Sequence, residues 1–278
     1  MVKQRLDLLL VERQLCESRA LAQRLIRAGE VKVNRQVLDK PGMEVEQDVQ
    51  VELVQKPPFV SRGGEKLAQA LRQFAIVVEG RVCLDGGIST GGFTDCLLQA
   101  GATRVYGVDV GYGQVAWKLR QDPRVILLER ANFRHLTPAQ LYGEAPLATL
   151  GVMDLSFISL TKVLAPLWSL LQSPREIILL VKPQFEVGKA KVGKKGVVRS
   201  SHDQAEAIYT VLTAAQSQGW QYQGLTHSPI TGPAGNVEYL LWLSATAASE
   251  SPTLASLECY TQQALRSFQS ARMEPTPS

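Results

Sequence analysis

The stretch Val82-Cys83-Leu84-Asp85-Gly86-Gly87-Ile88-Ser89-Thr90-Gly91-Gly92-Phe93-Thr94 constrains the fold of this chain more than any other. An apolar run ends in an acid, four glycines follow within seven residues, and a helical pattern begins at Phe93. Strand, tight glycine turn and helix form the unit by which α/β domains bring backbone close to a nucleotide-like ligand at a strand's carboxyl end. Gly86 and Gly87 are expected to take backbone angles closed to other residues, with Gly91 and Gly92 leaving room for close approach. A plain bend is the competing reading of such a turn.

Strand and helix patterns alternate from Val82 onward. They predict strands over 82–85, 104–109, 125–129, 148–153 and 176–181, and helices near 93–100, 114–120, 138–142, 159–171 and 203–218. This alternation implies an α/β, Rossmann-like domain whose parallel sheet is covered on both faces. Two late strand candidates, 222–226 and 237–243, have only a turn-rich segment between them, so they are expected to close the sheet as an antiparallel hairpin. Residues 254–268 predict a further helix, and 274–278 a frayed tail.

Residues 1–55 read as a separate small α+β unit. Leu6, Leu9 and Leu10 fall at helical spacing; a second helix, capped by Ser18, buries Leu21, Ala22, Leu25 and Ile26 and stops at Gly29. Short strands are predicted at 31–34, 37–38 and 49–53. Arg19, Arg24 and Arg27 share the second helix, which is either a solvated face or a reader of RNA phosphates. Lys56-Pro57-Pro58-Phe59 stiffens a linker over 56–64, and Ser61-Arg62-Gly63-Gly64-Glu65-Lys66 opens a helix at the start of a main domain spanning 65–245. Lys66 falls in that helix's first turn, where the dipole disfavours a cation, which suggests a role other than helix stability.

A length of 278 residues suits a main domain plus a small one, and a net charge of +4 means that any basic patch must be local. Cys16, Cys83, Cys96 and Cys259 are widely spaced, so neither a zinc site nor a disulfide framework is expected, nor any other metal, and a reducing cytoplasm fits. The start of the chain shows no signal-peptide pattern, and the longest apolar runs, such as 177–181, are strand-length, so no membrane partner is expected.

Asp109, at the end of the second strand candidate, is placed to accept hydrogen bonds from ribose hydroxyls; a helix cap is the alternative. Asp85 at the head of the turn suits a cofactor with a cationic amino-acid end, such as S-adenosylmethionine, and would repel a pyrophosphate. Ser89, Thr90 and Phe93 belong to the same turn, and Asn132, after the third strand, is a candidate adenine contact. Four polar residues, Lys66, Asp154, Lys182 and Glu238, map to the same sheet edge. Each taken singly fits a structural ion pair, but Lys182 ends the apolar run 177–181, where a lysine needs a partner or a depressed pKa. The segment from Lys189 to Arg199, with Lys189, Lys191, Lys194 and Lys195, reads as a mobile basic loop holding an RNA backbone, or as a solvated loop.

These residues carry a family resemblance. Arg5-Leu6-Asp7, Ser18-Arg19-x-x-Ala22 and Leu25-Ile26-x-x-Gly29-x-Val31-x-Val33-Asn34 resemble the S4-type RNA-binding module, with Arg35 standing where that family usually has glycine and adding a possible phosphate contact. Lys66, Asp154, Lys182 and Glu238 resemble the Lys-Asp-Lys-Glu tetrad of FtsJ-type ribose 2′-O-methyltransferases. Module and tetrad together resemble the TlyA family of ribosomal RNA cytidine-2′-O-methyltransferases, from residue 3 to about 244. The resemblance implies S-adenosylmethionine as cofactor, held by the Asp85–Gly92 turn, and ribosomal RNA or a ribosomal subunit as partner. An unperturbed lysine, with a pKa of about 10.4, cannot accept the 2′-hydroxyl proton, so Lys66 is expected to help poise Lys182 as base, with Asp154 and Glu238 orienting the lysines and the ribose. A base N-methyltransferase stays open, because Asp154-Leu155-Ser156-Phe157 resembles the acid-Pro-Pro-aromatic motif without its prolines. A dehydrogenase would leave the RNA module unexplained, and a pure RNA-binding module the tetrad. The haemolysin label carried in the family makes membrane lysis the reading from another class.

Overall fold

A computed structural model describes residues 3–53, 57–246 and 249–273, so the first two residues, Lys56 and the tail at 274–278 lie outside the described residues. The chain divides into two compact units, Met1–Pro58 and Phe59–Ser278.

The first unit runs β1 (Lys3–Arg5), α1 (Leu6–Glu12), α2 (Arg19–Arg27), β2 (Val31–Val33), β3 (Gln36–Val37), β4 (Glu44–Glu46) and β5 (Val51–Leu53). The apolar faces of the two helices, through Leu6, Leu9, Leu10, Ala22 and Ile26, close on Val31, Val33 and Val45. Ser18 caps α2 as expected, its Oγ accepting from the Leu21 N–H at 3.3 Å. The predicted strands at 31–34, 37–38 and 49–53 form a β3-β2-β5 sheet, with the β2–β3 turn one residue earlier than expected. Asn34 and Arg35 take left-handed φ values of 49° and 69°, so the arginine adopts the backbone for which glycine is better suited. The β1–β4 pair was not foreseen, because Lys-Gln-Arg and Glu-Val-Glu carry almost no apolar alternation.

Asp7 is buried beneath this unit and accepts from Arg5 at 2.9 and 3.0 Å, Arg19 at 3.0 Å and Gln23 at 2.7 Å. Two of the arginines expected to meet RNA are therefore partly engaged by one carboxylate.

The second unit runs α3 (Gly63–Gln73), β6 (Val82–Gly86), α4 (Gly92–Gln99), β7 (Arg104–Val108), α5 (Trp117–Arg120), β8 (Val125–Leu128), α6 (Pro138–Tyr142), β9 (Ala148–Met153), α7 (Leu164–Leu170), β10 (Leu171–Val181), α8 (Pro183–Glu186), α9 (Ser201–Gln216), β11 (Gln221–His227), β12 (Tyr239–Ser244) and α10 (Leu254–Met273). Strand order is β11-β12-β10-β9-β6-β7-β8. The strands from β6 to β10 pair in parallel, and β12 pairs antiparallel with both β10 and β11, which is the expected hairpin ending.

Both faces of the sheet are buried. Along β10, Ile177, Leu179 and Val181 join the core beneath α7 and α9, while Ile178 and Leu180 join the opposite core beneath α3 and α4. The period of two explains why that run reads as continuously apolar. Two expected helices are shorter than the sequence implied. The one over 114–120 begins only at Trp117, and the one over 159–171 is a single 3-10 turn followed by α7, because the chain is already in β10 at Leu171.

The Arg5 guanidinium first, with Gln23 and Arg19, holds the Asp7 carboxyl well below the usual carboxylate range. A lowered folded-state pKa means that this stabilisation is complete above about pH 4 and is lost as pH falls further. Asp7→Asn is expected to lower the melting midpoint of the first unit by roughly 5 °C at pH 7 and to reduce its acid sensitivity; an unchanged midpoint and slope in thermal unfolding of the full chain would refute this.

Candidate active site

The crevice lies where parallel strand order reverses, between β6 and β9, at the strands' carboxyl ends. Asp85, Asp154 and Lys182 sit at or just beyond the ends of β6, β9 and β10. Glu238 reaches the same edge because β12 runs the other way: Tyr239 pairs with Val181, so the residue before β12 lies beside the residue after β10.

The glycine turn is a cradle whose roles match expectation except at Gly86, where close approach and not a left-handed angle requires glycine. Gly87 and Gly91 take the left-handed φ values, 82° and 97°. All four glycines are also close-approach positions: a Cβ would stand 2.3 Å from Met153 Sδ on Gly86, 2.6 Å from the Asp154 carbonyl oxygen on Gly87, 2.3 Å from Leu119 Cδ1 on Gly91 and 2.3 Å from Ser61 Oγ on Gly92. Asp109 ties the turn to the next strand, accepting from the Ser89 N–H at 2.8 Å and the Gly111 N–H at 2.7 Å. The Asn132 carboxamide oxygen accepts from the Arg134 N–H at 3.1 Å, and its residue faces the larger cavity.

Two cavities meet here and share Gly87, Ser89 and Asp154. The smaller is lined by Asp85, Thr90, Gly92, Phe93, Lys66 and Arg62; the larger, of about 510 Å³, by Asp109, Asn132, Phe133 and Leu155. Asp85 is fully buried, and Thr94 donates to its Oδ2 at 2.7 Å. Its Oδ1 has no hydrogen-bond partner among the described residues. Burial pushes this carboxyl up to about 7, helped by the negative charge of Asp154 and opposed by the Thr94 bond. A buried carboxylate oxygen without a donor, at the closed end of a cleft, suits a ligand's ammonium. The residues present therefore fit an amino-acid end at Asp85 and a nucleoside in the larger cavity, as S-adenosylmethionine requires.

The four predicted polar residues come together as two pairs. Lys66 Nζ donates to Glu238 Oε2 at 2.5 Å, with both side chains almost sealed from water. Lys182 Nζ lies 2.6 Å from Asp154 Oδ1 and donates to Ser156 Oγ at 2.9 Å. The partner of Lys66 is thus Glu238, which accounts for a cation early in α3, where the helix dipole disfavours it.

Sequence reasoning assigned no role to several residues here. Phe157 is 91% exposed at a left-handed φ of 65°, its ring centroid 5.1 Å from that of Phe185. In sequence it reads only as the aromatic of the proline-free Asp154–Phe157 motif, with nothing to show that it faces outward. The basic segment also differs from a mobile loop. Lys191 is paired with Asp203 at 3.0 Å and with Glu206, and the other end is clamped at Val198, whose N–H donates to Asn236 Oδ1 at 2.9 Å and whose carbonyl accepts from Gln204 Nε2 at 2.7 Å. Lys189, Lys194 and Lys195 are exposed on this pinned segment; in the first unit Arg24, Arg27 and Arg35 are exposed.

The FtsJ-like methyltransferase profile matches residues 59–245, and the S4 domain profile residues 4–51. The chain is 48% identical to the 16S/23S rRNA (cytidine-2′-O)-methyltransferase TlyA of Mycobacterium tuberculosis over 86% of this chain and 89% of that one. It is 39% identical to Hemolysin A of Brachyspira hyodysenteriae over 81% of this chain and 92% of the relative. A solved structure from Streptococcus thermophilus that carries a hemolysin label superposes with a TM-score of 0.75 at 39% identity, covering 99% of this chain and all of that one. No helix among the described residues is long and apolar enough to cross a membrane.

Because the Asp85 carboxyl titrates near 7, cofactor affinity measured with S-adenosylhomocysteine is expected to fall as pH drops from about 7.5 to 6 and Asp85 becomes neutral. Asp85→Asn should bind weakly and flatten this dependence. A wild-type affinity that is level across this range would contradict the assignment.

Proposed function

The chain belongs to the FtsJ-like methyltransferase family, and from that membership we propose that it transfers the methyl group of S-adenosylmethionine to a ribose 2′-hydroxyl of ribosomal RNA, with cytidine as the target nucleoside and a ribosomal subunit as the partner. One observation carries this reading: two lysine–carboxylate pairs stand at the sheet edge that also holds the Asp85 cavity. The relative from Mycobacterium tuberculosis, named for rRNA cytidine 2′-O-methylation, supports the choice of substrate.

S-Adenosylmethionine supplies a methyl group already activated as a sulfonium, so the chain's own residues must hold the donor, align one hydroxyl and receive one proton. Asp85 meets the ammonium of the amino-acid end, and Arg62, beside the start of α3, meets its carboxylate. Asp109 serves the ribose of the adenosine and Asn132 its adenine. Lys182 in its neutral form is the base at the 2′-hydroxyl, its Nζ oriented by Asp154 and Ser156. The Lys66–Glu238 pair, with little net charge of its own, positions the incoming ribose. Lys182, Glu238, Phe157 and Phe185 line one cavity, where the exposed Phe157 ring offers the target base a stacking face.

RNA backbone is held by exposed cations: Arg24, Arg27 and Arg35 in the first unit, a reading its S4 domain match supports, and Lys189, Lys194 and Lys195 in the second. Arg5 and Arg19 contribute the parts of their guanidinium groups that Asp7 leaves uncovered. Lys191 is the weakest candidate of this set, since Asp203 and Glu206 already neutralise it.

Lys182→Ala is expected to lower kcat for methyl transfer to ribosomal subunits at least about a hundredfold, while calorimetry with S-adenosylhomocysteine shows unchanged binding. Transfer at the wild-type rate would remove Lys182 from the mechanism.

A further inference from the structure

Glu186 is a buried titratable group that the mechanism above does not use. It closes α8, four residues after Lys182, and its carboxylate is bonded to the segment that follows β9. Oε2 accepts from the Ser159 hydroxyl at 2.6 Å and Oε1 from the Leu160 N–H at 2.9 Å. We propose that Glu186 is a positioning residue for methyl transfer, stapling the turn that carries Asp154, Ser156 and Phe157 to the turn that carries Lys182 and Phe185.

The backbone at Phe157 shows why a staple is needed. A φ of 65° is costly for a residue with a side chain, and such a conformation persists only where its surroundings over-determine it. Upstream, the turn is anchored by the Asp154 N–H donating to the Gly86 carbonyl at 3.1 Å and by Lys182 holding Asp154 and Ser156. Downstream, the anchor is Glu186. With both ends fixed, the intervening residue is forced outward and its ring settles against Phe185. Removing the downstream anchor lets residue 157 relax to a negative φ, and that rotation withdraws Ser156 and the Phe157 ring together from the Lys182 side. Burial raises the Glu186 carboxyl, and the two bonds it accepts from Leu160 and Ser159 oppose that shift.

A simple cap on the short 3-10 helix Leu160–Lys162 would use the same two bonds. Capping alone predicts lost stability, whereas positioning predicts a change in turnover on folded protein. The inference rests on the methyltransferase reading, so the experiment has one arm that needs no activity. In the full chain, Glu186→Ala is expected to leave the dissociation constant for S-adenosylhomocysteine within twofold, to lower kcat on ribosomal subunits between about ten- and a hundredfold and to raise KM for the subunit. Glu186→Gln, whose amide oxygen still accepts, should recover most of the rate. Hydrogen exchange at the Leu160 amide should be at least tenfold faster in Glu186→Ala than in the wild type. If Glu186→Ala does not fold, Ser159→Ala removes one of the two bonds and should show the same split more weakly. Unchanged Leu160 exchange would overturn the staple. Faster exchange with wild-type kcat and KM would reduce Glu186 to a cap. A wild-type chain that methylates no ribosomal RNA would count against the methylation reading and the positioning role with it, while the exchange result would still decide whether the staple exists.

Discussion

Antiparallel pairing of β12 against β10, with Tyr239 opposite Val181, sets Glu238 next to Lys182 in the sheet, and the rest of the site is arranged around that adjacency. The parallel strands deliver only their carboxyl ends to this edge; the reversed strand delivers its beginning. Four ionisable groups crowded at a nearly dry edge must sort into pairs, since an unpaired buried charge is expensive. They sort as Lys66 with Glu238 and Lys182 with Asp154. Each lysine is thus held by an acid from a different element, and the relative placement of α3, β9, β10 and β12 becomes a condition of charge pairing as well as of apolar packing.

The cofactor side follows a different logic, in which close approach matters more than charge. All four turn residues are glycines because neighbouring atoms leave no space for a Cβ, and Gly87 and Gly91 also because the chain turns through the left-handed region. Together they let the backbone lie open to a ligand while Asp85 waits at the closed end with one oxygen unbonded among the described residues. An interior acid in that state destabilises the unliganded fold, and a bound ammonium removes the penalty. The site spends stability on readiness to bind.

Much of this was legible in the sequence, for identifiable reasons. The strand pattern came through because residues 177–181 of β10 and 239–243 of β12 are unbroken apolar runs that pack on both faces of the sheet. Lys182 stood out because it ends such a run, and Lys66 because it sits at the wrong end of a helix dipole. What stayed hidden depends on backbone detail or on distant partners. Phe157 could not be known to face outward without its left-handed φ. The clamp of Val198 between Gln204 and Asn236 depends on a partner 38 residues away, so the basic stretch looked looser than it is. The role of Gly86 was misassigned for a related reason: sequence shows that a turn needs glycine but not whether sterics or dihedral angle demands it, and at Gly91 both do. β1 and β4 escaped notice because their residues are mostly charged or polar.

The central claim is that these lysine–carboxylate pairs serve ribose methylation of ribosomal RNA. The most direct measurement is a map of 2′-O-methyl groups on ribosomal RNA from cells that carry the gene, lack it, or carry Lys182→Ala in its place. The account predicts at least one cytidine that loses its 2′-O-methyl when the gene is absent and does not regain it with the variant. Identical maps in all three strains would contradict it.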